Sequence, residues 1–170
     1  ERHGAGGGDE IEDYDNNDND VHRDLGEDRP PQPTINKLTG ELIRDLFTHT
    51  KSIGAREDVL KMTAALSFRC NLPWFFGRWH IAVFEELKGE TFCLEYLSRD
   101  LWRDDYVLAG LILELLVPCL KTSDQCCVRF AAALGREVVT RTAMRFPLDT
   151  PVCKHAPLVL NHCIVRSARV

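Results

Sequence analysis

Apolar positions along this chain recur at helical spacing in successive stretches, each closed by glycine, proline or a polar break. The longest is Tyr106 to Val117, YVLAGLILELLV, in which Glu114 is the single charged residue. A helix that is apolar on every side must be covered on every side. Its twelve residues rise only about 18 Å, well short of a bilayer's roughly 30 Å hydrocarbon layer. The stretch is therefore expected to be a buried central helix, started by Asp104 and Asp105, stopped by Pro118, with Leu111 and Leu115 in its interior.

The flanking stretches read as helices too. One is expected from Thr34, its cap, with Ile35, Leu38, Leu42, Ile43, Leu46 and Phe47 at three- and four-residue spacings, ending by Gly54. A second, from about Glu57 to Cys70, buries Val59, Met62, Leu66 and Cys70, with Leu60, Ala64 and Phe68 beside them; Glu57 and Asp58 suit its positive N-terminal end. After a break from Asn71 to Pro73, a third carries Phe75, Phe76, Trp79, Ile81, Val83, Phe84 and Leu87 until Gly89 breaks it. A fourth covers about Glu90 to Leu101. Beyond the central helix, Ser123 or Asp124 caps a long segment, Gln125 to Arg145, striped by Val128, Ala132, Val139, Ala143 and Phe146. Pro147, Pro151 and Pro157 interrupt the remainder, where only Leu158 to Val165 is apolar enough for a short helix or strand. The pattern predicts an all-α fold, one compact bundle of five to six helices around residues 106–117. The helical domain spans 34–170, and 146–170 form a docked, partly irregular C-terminal segment.

Charge separates the first 33 residues from the rest. Residues 1–30 hold eleven acids against three arginines, net −8, whereas residues 31–170 carry net +3. With glycine-rich and acidic runs and few apolar residues, 1–33 are expected to be a disordered acidic tail, closed by the Pro30, Pro31 and Pro33 cluster. The remainder of a 170-residue chain that is 44% hydrophobic suffices for one core. The chain opens on Glu1 and its first methionine is Met62, as in a fragment or processed chain. No stretch reads as a signal peptide or membrane span. Seven cysteines are an odd number in a chain not short of core residues, which favours buried thiols in a reducing, intracellular compartment, cytoplasm or nucleus, over a disulfide framework.

Candidate chemistry is sparse. Cys153, His155, His162 and Cys163 are four possible zinc ligands, but they lack the paired chelating loops of structural zinc sites; two buried thiols and two surface histidines is the plainer reading, and no metal or other cofactor is expected. His80, with Glu85 and Glu86 near it in sequence and Cys70 as an imaginable nucleophile, is the one catalytic constellation to weigh. No nucleophile elbow, phosphate loop, zinc-protease histidine pair or dinucleotide turn accompanies it, so a non-enzymatic protein is expected. Lys121, Arg129, Arg136, Arg141 and Arg145 read as a solvated basic face that the acidic tail screens; they are the basis of the alternative, a nucleic-acid-associated domain acting as a replication or transcription cofactor. Trp74, Phe75, Phe76 and Trp79 have Arg69 and Arg78 beside them in sequence, and four bulky rings within six residues cannot all face inward on one helix. The expected partner-binding residues are thus Trp74, Phe75, Gly77, Arg78 and Trp79, offered to a protein helix or peptide.

Trp74 to Leu97, WFFGRWHIAVFEELKGETFCLEYL, resembles the first homology motif of the B-cell-lymphoma-type (Bcl-2-like) apoptosis regulators, in which a tryptophan, glycine and arginine open a long central helix bearing aromatics. The resemblance implies a helical regulator in which Arg78 pairs with an aspartate of an incoming amphipathic helix and Gly77 permits close approach. The sequence departs from the family where Phe76 replaces the tryptophan, where Glu85, Glu86, Lys88 and Glu90 make the segment polar, and in lacking the leucine-to-glycine-aspartate helix motif and a C-terminal anchor.

Overall fold

The computed structural model describes residues 32–167, by backbone alone at 32, 33, 53, 74, 75 and 164–167. The tail expected over 1–33 thus lies outside the described residues except for Gln32 and Pro33, which form the first turn of a helix. Eight α-helices follow: α1 (Gln32–His49), α2 (Arg56–Cys70), α3 (Trp74–Glu86), α4 (Gly89–Ser98), α5 (Tyr106–Thr122), α6 (Asp124–Ala132), α7 (Gly135–Ala143) and α8 (Pro151–Ser167), with short 3₁₀ turns at Ile53–Ala55 and Asp100–Trp102. No strand occurs among the described residues, and no helix there is long and apolar enough to cross a membrane.

The predicted central helix is α5. Leu108, Ile112, Leu113, Leu115, Leu116, Cys119 and Leu120 are wholly buried, against α8 and α2 along most of its length and against α3, α4 and α6 elsewhere. Its start is as expected: Asp105 Oδ1 accepts the Leu108 N–H at 3.1 Å, and Arg56 holds the same carboxylate through Nε at 2.7 Å. Its end is not, since Pro118 lies inside the helix, which continues to Thr122. A helix-interior proline costs about 3 kcal/mol. Complete burial of Cys119 and Leu120 just beyond it offsets that cost. Leu111 is half-buried, so the interior positions are Leu115 and its neighbours rather than Leu111.

Two further differences raise the helix count above the expected five to six. The segment expected as one helix from Gln125 to Arg145 is broken at Leu134, which sits in the left-handed region at φ 55°. The break resets the helical phase: Cys126, Cys127 and Phe130 become the buried face of α6, while Val128 and Ala132 of the expected stripe are exposed. The C-terminal segment is a full 17-residue helix, not a short docked piece. Pro151 opens it, where a missing N–H costs nothing. Pro157 is tolerated within it on the exposed side, while Val152, Ala156, Val159 and Cys163 are buried.

Two exposed apolar residues show where a counted pattern misleads. On α2 the buried stripe is Val59, Thr63, Leu66, Ser67 and Cys70, so Phe68 falls outside it and is 70% exposed. Leu38 of α1 is likewise exposed.

Candidate partner-binding cleft

The corner between α2 and α3 builds the site. Asn71 closes α2 by donating its N–H to the Ser67 carbonyl at 3.0 Å, and Pro73, with φ −46°, opens α3 by accepting from Phe76 N at 2.9 Å. The reversal is so tight that Gly77 backs onto the end of α2: a Cβ there would stand 2.7 Å from the Leu72 carbonyl oxygen and 2.8 Å from that of Cys70. The close approach made possible by Gly77 is therefore to its own chain, and Gly77 is buried. Beside it a cleft of about 290 Å3 opens between the end of α2, the start of α3 and the last turns of α5. Leu72, Ile81, Val117 and Pro118 give it apolar walls, and the exposed Arg78 and Lys121 border it.

Of the five residues singled out in the sequence, the cleft collects Gly77 and Arg78. Trp79 is half-buried and packs edge-on against Phe76, ring centroids 6.0 Å apart, away from the cleft lining. The side chains of Trp74 and Phe75 lie outside the described residues. Val117, Pro118 and Lys121 were not foreseen in this role, because sequence reading ended the helix at the residue that forms the cleft wall.

The other constellations are pulled apart. His80 is buried and its Nδ1 is hydrogen-bonded to Thr39 Oγ1 at 2.6 Å, joining α3 to α1. Burial, and after it the charge of Arg69, holds this ring below its ordinary range in favour of the neutral form. Glu85 instead accepts from Ser123 Oγ at 2.6 Å, and the Cys70 thiol is buried at the end of α2. Ten residues of helix set Cys153 and Cys163 about 15 Å apart along α8. Among the described residues no group of three His, Cys, Asp or Glu is placed to hold a metal ion.

The expected basic face divides among α5, α6, α7 and the turn after it, where Arg145 lies, and Arg129 is drawn inward. Its Nε donates to Oε1 of Glu90, which is fully buried on α4, and its Nη2 donates to the Glu85 carbonyl at 2.7 Å. Cys126 Sγ donates to the second Glu90 oxygen at 3.4 Å. The acid that stood out as too polar for a buried helix is thus neutralised by a base on another helix. The signal was an acid amid Phe92, Cys93 and Leu94; its partner, 39 residues on, has no local signature.

Compared with family models, curated proteins and solved structures, the chain matches none of them.

Proposed function

We propose that this chain is a non-enzymatic, Bcl-2-like protein-interaction domain whose cleft beside Arg78 receives an amphipathic helix or peptide. The observation that carries this reading is the pairing of apolar walls with two exposed cations at the border. Such a site favours a ligand presenting an apolar anchor and a carboxylate, and an arginine-carboxylate bond at the edge of an apolar wall is worth more than an exposed surface pair. The volume, about 290 Å3, falls just below the usual range of small-molecule pockets, roughly 300–1,000 Å3. That suits one or two side chains of a docked helix better than a cofactor. The resemblance of Trp74 to Leu97 to the Bcl-2-like motif supports the same residue, Arg78, and the same chemistry.

The test is fluorescence anisotropy with a labelled amphipathic peptide carrying leucines at helical spacing and one aspartate. Replacing Arg78 by Glu is expected to weaken binding at least tenfold, about 1.4 kcal/mol, with little change in thermal stability. Unchanged affinity in Arg78→Glu, or no binding of such peptides to the native chain, would overturn the reading.

A further inference from the structure

The cleft beside Arg78 lies at the end of the bundle where the chain's own acidic segment joins the fold. Along α1, Thr39 Oγ1 meets His80 Nδ1 of α3 at 2.6 Å, and Phe47, about two turns later, meets Phe92 in the first turn of α4, ring centroids 4.2 Å apart. Contacts thus advance along α3 and into α4 as α1 advances, and going back from Thr39 leads toward the start of α3. Gln32, seven residues before Thr39, lies about 10 Å back along the helix. That is the end of α3 that carries Gly77 and Arg78. Residues 1–31 therefore enter the bundle at the same end as the cleft.

We propose that residues 9–15 of the same chain occupy this cleft, with Ile11 and Tyr14 against its apolar walls and the neighbouring carboxylates against Arg78 and Lys121. Ile11 and Tyr14 stand among five acids and no base between positions 9 and 15, within a stretch, residues 1–30, of net charge −8. Apolar anchors beside carboxylates are the ligand chemistry that the cleft favours. Among the described residues no acid lines it, whereas the exposed basic surface on α7 carries Glu137 with Arg136 and Arg141. The charge complementarity is therefore better at the cleft. Length suffices: residues 16–31, sixteen in number, span up to about 50 Å when extended. Tethering makes the encounter intramolecular, at an effective concentration of about a millimolar, so a contact with a dissociation constant of about 0.1 mM weakens binding of an outside peptide about tenfold. That competition rests on the proposed function; the docking of residues 9–15 does not.

The experiment treats the full chain with a carbodiimide, which joins a lysine amine to a contacting carboxylate, and maps the linked peptides by mass spectrometry. A link from Lys121 to an acid of residues 9–15 is expected. It should form within one chain when isotope-labelled and unlabelled chains are mixed, and be lost in Ile11→Ser/Tyr14→Ser, which keeps every charge. Links spread evenly over Lys61, Lys88 and Lys154 would mean diffuse screening, links between chains a second copy, and links from Lys121 to residues 18–28 a different segment; each overturns the proposal. Mapping of the unsubstituted chain decides this even where a variant misfolds. In anisotropy, Ile11→Ser/Tyr14→Ser should bind the aspartate-bearing peptide about tenfold more tightly than the native chain. Equal affinity despite the Lys121 link places the segment outside the peptide's cleft and overturns its occupancy. The Lys121 link in a chain that binds no peptide, with or without the two serines, leaves the docking standing and removes the proposed function. Equal peptide binding with no link leaves the proposed function standing and removes the docking.

Discussion

At the scale of single residues, the side chains that best repay physical attention are those buried against expectation. Glu90 has no exposure, and the cost of taking its carboxylate out of water is met by Arg129 and by the Cys126 thiol. Removing one partner of such a pair leaves the other charge uncompensated, so Arg129→Ala is expected to lower unfolding free energy by about 3–5 kcal/mol in urea titration. The isosteric change Glu90→Gln in the Arg129→Ala background should recover part of that loss; no recovery would mean that Arg129 acts through its other contacts. His80 gives a pH dependence of definite sign. Its folded pKa is lowered from the ordinary value of 6.5, first by burial and then by Arg69, so as pH falls below about 6.5 the unfolded chain takes up the proton first. This contribution is absent at neutral pH, destabilises progressively down to the lowered folded value, and is constant beneath it. Urea midpoints measured from pH 7.5 to 5 should therefore decline, and His80→Gln should flatten the decline. The remaining slope would report His155, which burial lowers in the same direction. If the substitution leaves the slope untouched, the ring is not titrating in this environment.

At the scale of elements, one helix joint is used twice, and the sequence conceals it. Lys88 and Leu134 both take φ 55°, each followed by a glycine that opens the next helix. In both cases a Cβ on that glycine would collide with the ring of the phenylalanine five residues earlier, Phe84 for Gly89 and Phe130 for Gly135. Glycine would ordinarily take the left-handed position itself. Here volume decides: the glycine is needed where the ring crosses the chain, and a lysine and a leucine absorb the backbone strain. Gly89→Ala and Gly135→Ala should each cost about 1–3 kcal/mol by overpacking. Leu134→Gly, which relieves a left-handed side chain that is 63% exposed, should be neutral or stabilising by up to about 1 kcal/mol. Thermal melts that show Leu134→Gly as costly as Gly135→Ala would refute this division of roles. The same joint explains what was legible. Gly89 was readable as a break because glycine marks one, but the turn belongs to the lysine before it. The second joint was read through as continuous helix, because leucine carries no turn signal and the alanines before it favour a helix. On α5, the run from Tyr106 to Val117 specified a buried helix from composition alone, whereas its continuation past Pro118 depends on tertiary burial of Cys119 and Leu120 that no local pattern encodes. The cleft was legible only in part for the same reason: Gly77 and Arg78 lie in the aromatic run singled out in the sequence, but the wall opposite them is the part of α5 that local rules removed.

At the scale of the whole molecule, the bundle depends on its last helix closing over α5. α8 covers one side of the central helix and α2 another, so the core is closed by the segment that sequence reading treated as a partly irregular appendage. Three prolines prompted that reading: Pro147 falls before the helix, and three-dimensional position neutralises the other two. Pro151 occupies the first helical residue, and Pro157 faces outward between the buried Ala156 and Val159. The energetic consequence differs sharply between the two views. If α8 were an appendage, a chain ending at Thr150 would melt much as the longer chain does. With α8 as core, the truncation uncovers leucines and isoleucine of α5 that are otherwise wholly buried. At roughly 1.5–3 kcal/mol for each large aliphatic side chain returned to water, three or four such residues exhaust a domain's usual stability of about 5–15 kcal/mol. The shortened chain is therefore expected to lose cooperative unfolding, bind a hydrophobic dye and lose near-ultraviolet dichroism while keeping much of its helical signal. Within α5 itself, Leu115→Ala in the full chain should cost about 2–5 kcal/mol through lost burial and a residual cavity, and the half-buried Leu111 should cost less. A cooperative melt of the chain ending at Thr150, within a few degrees of the full chain, would sink the view of α8 as a core element. Equal costs at Leu111 and Leu115 would contradict the burial that distinguishes them.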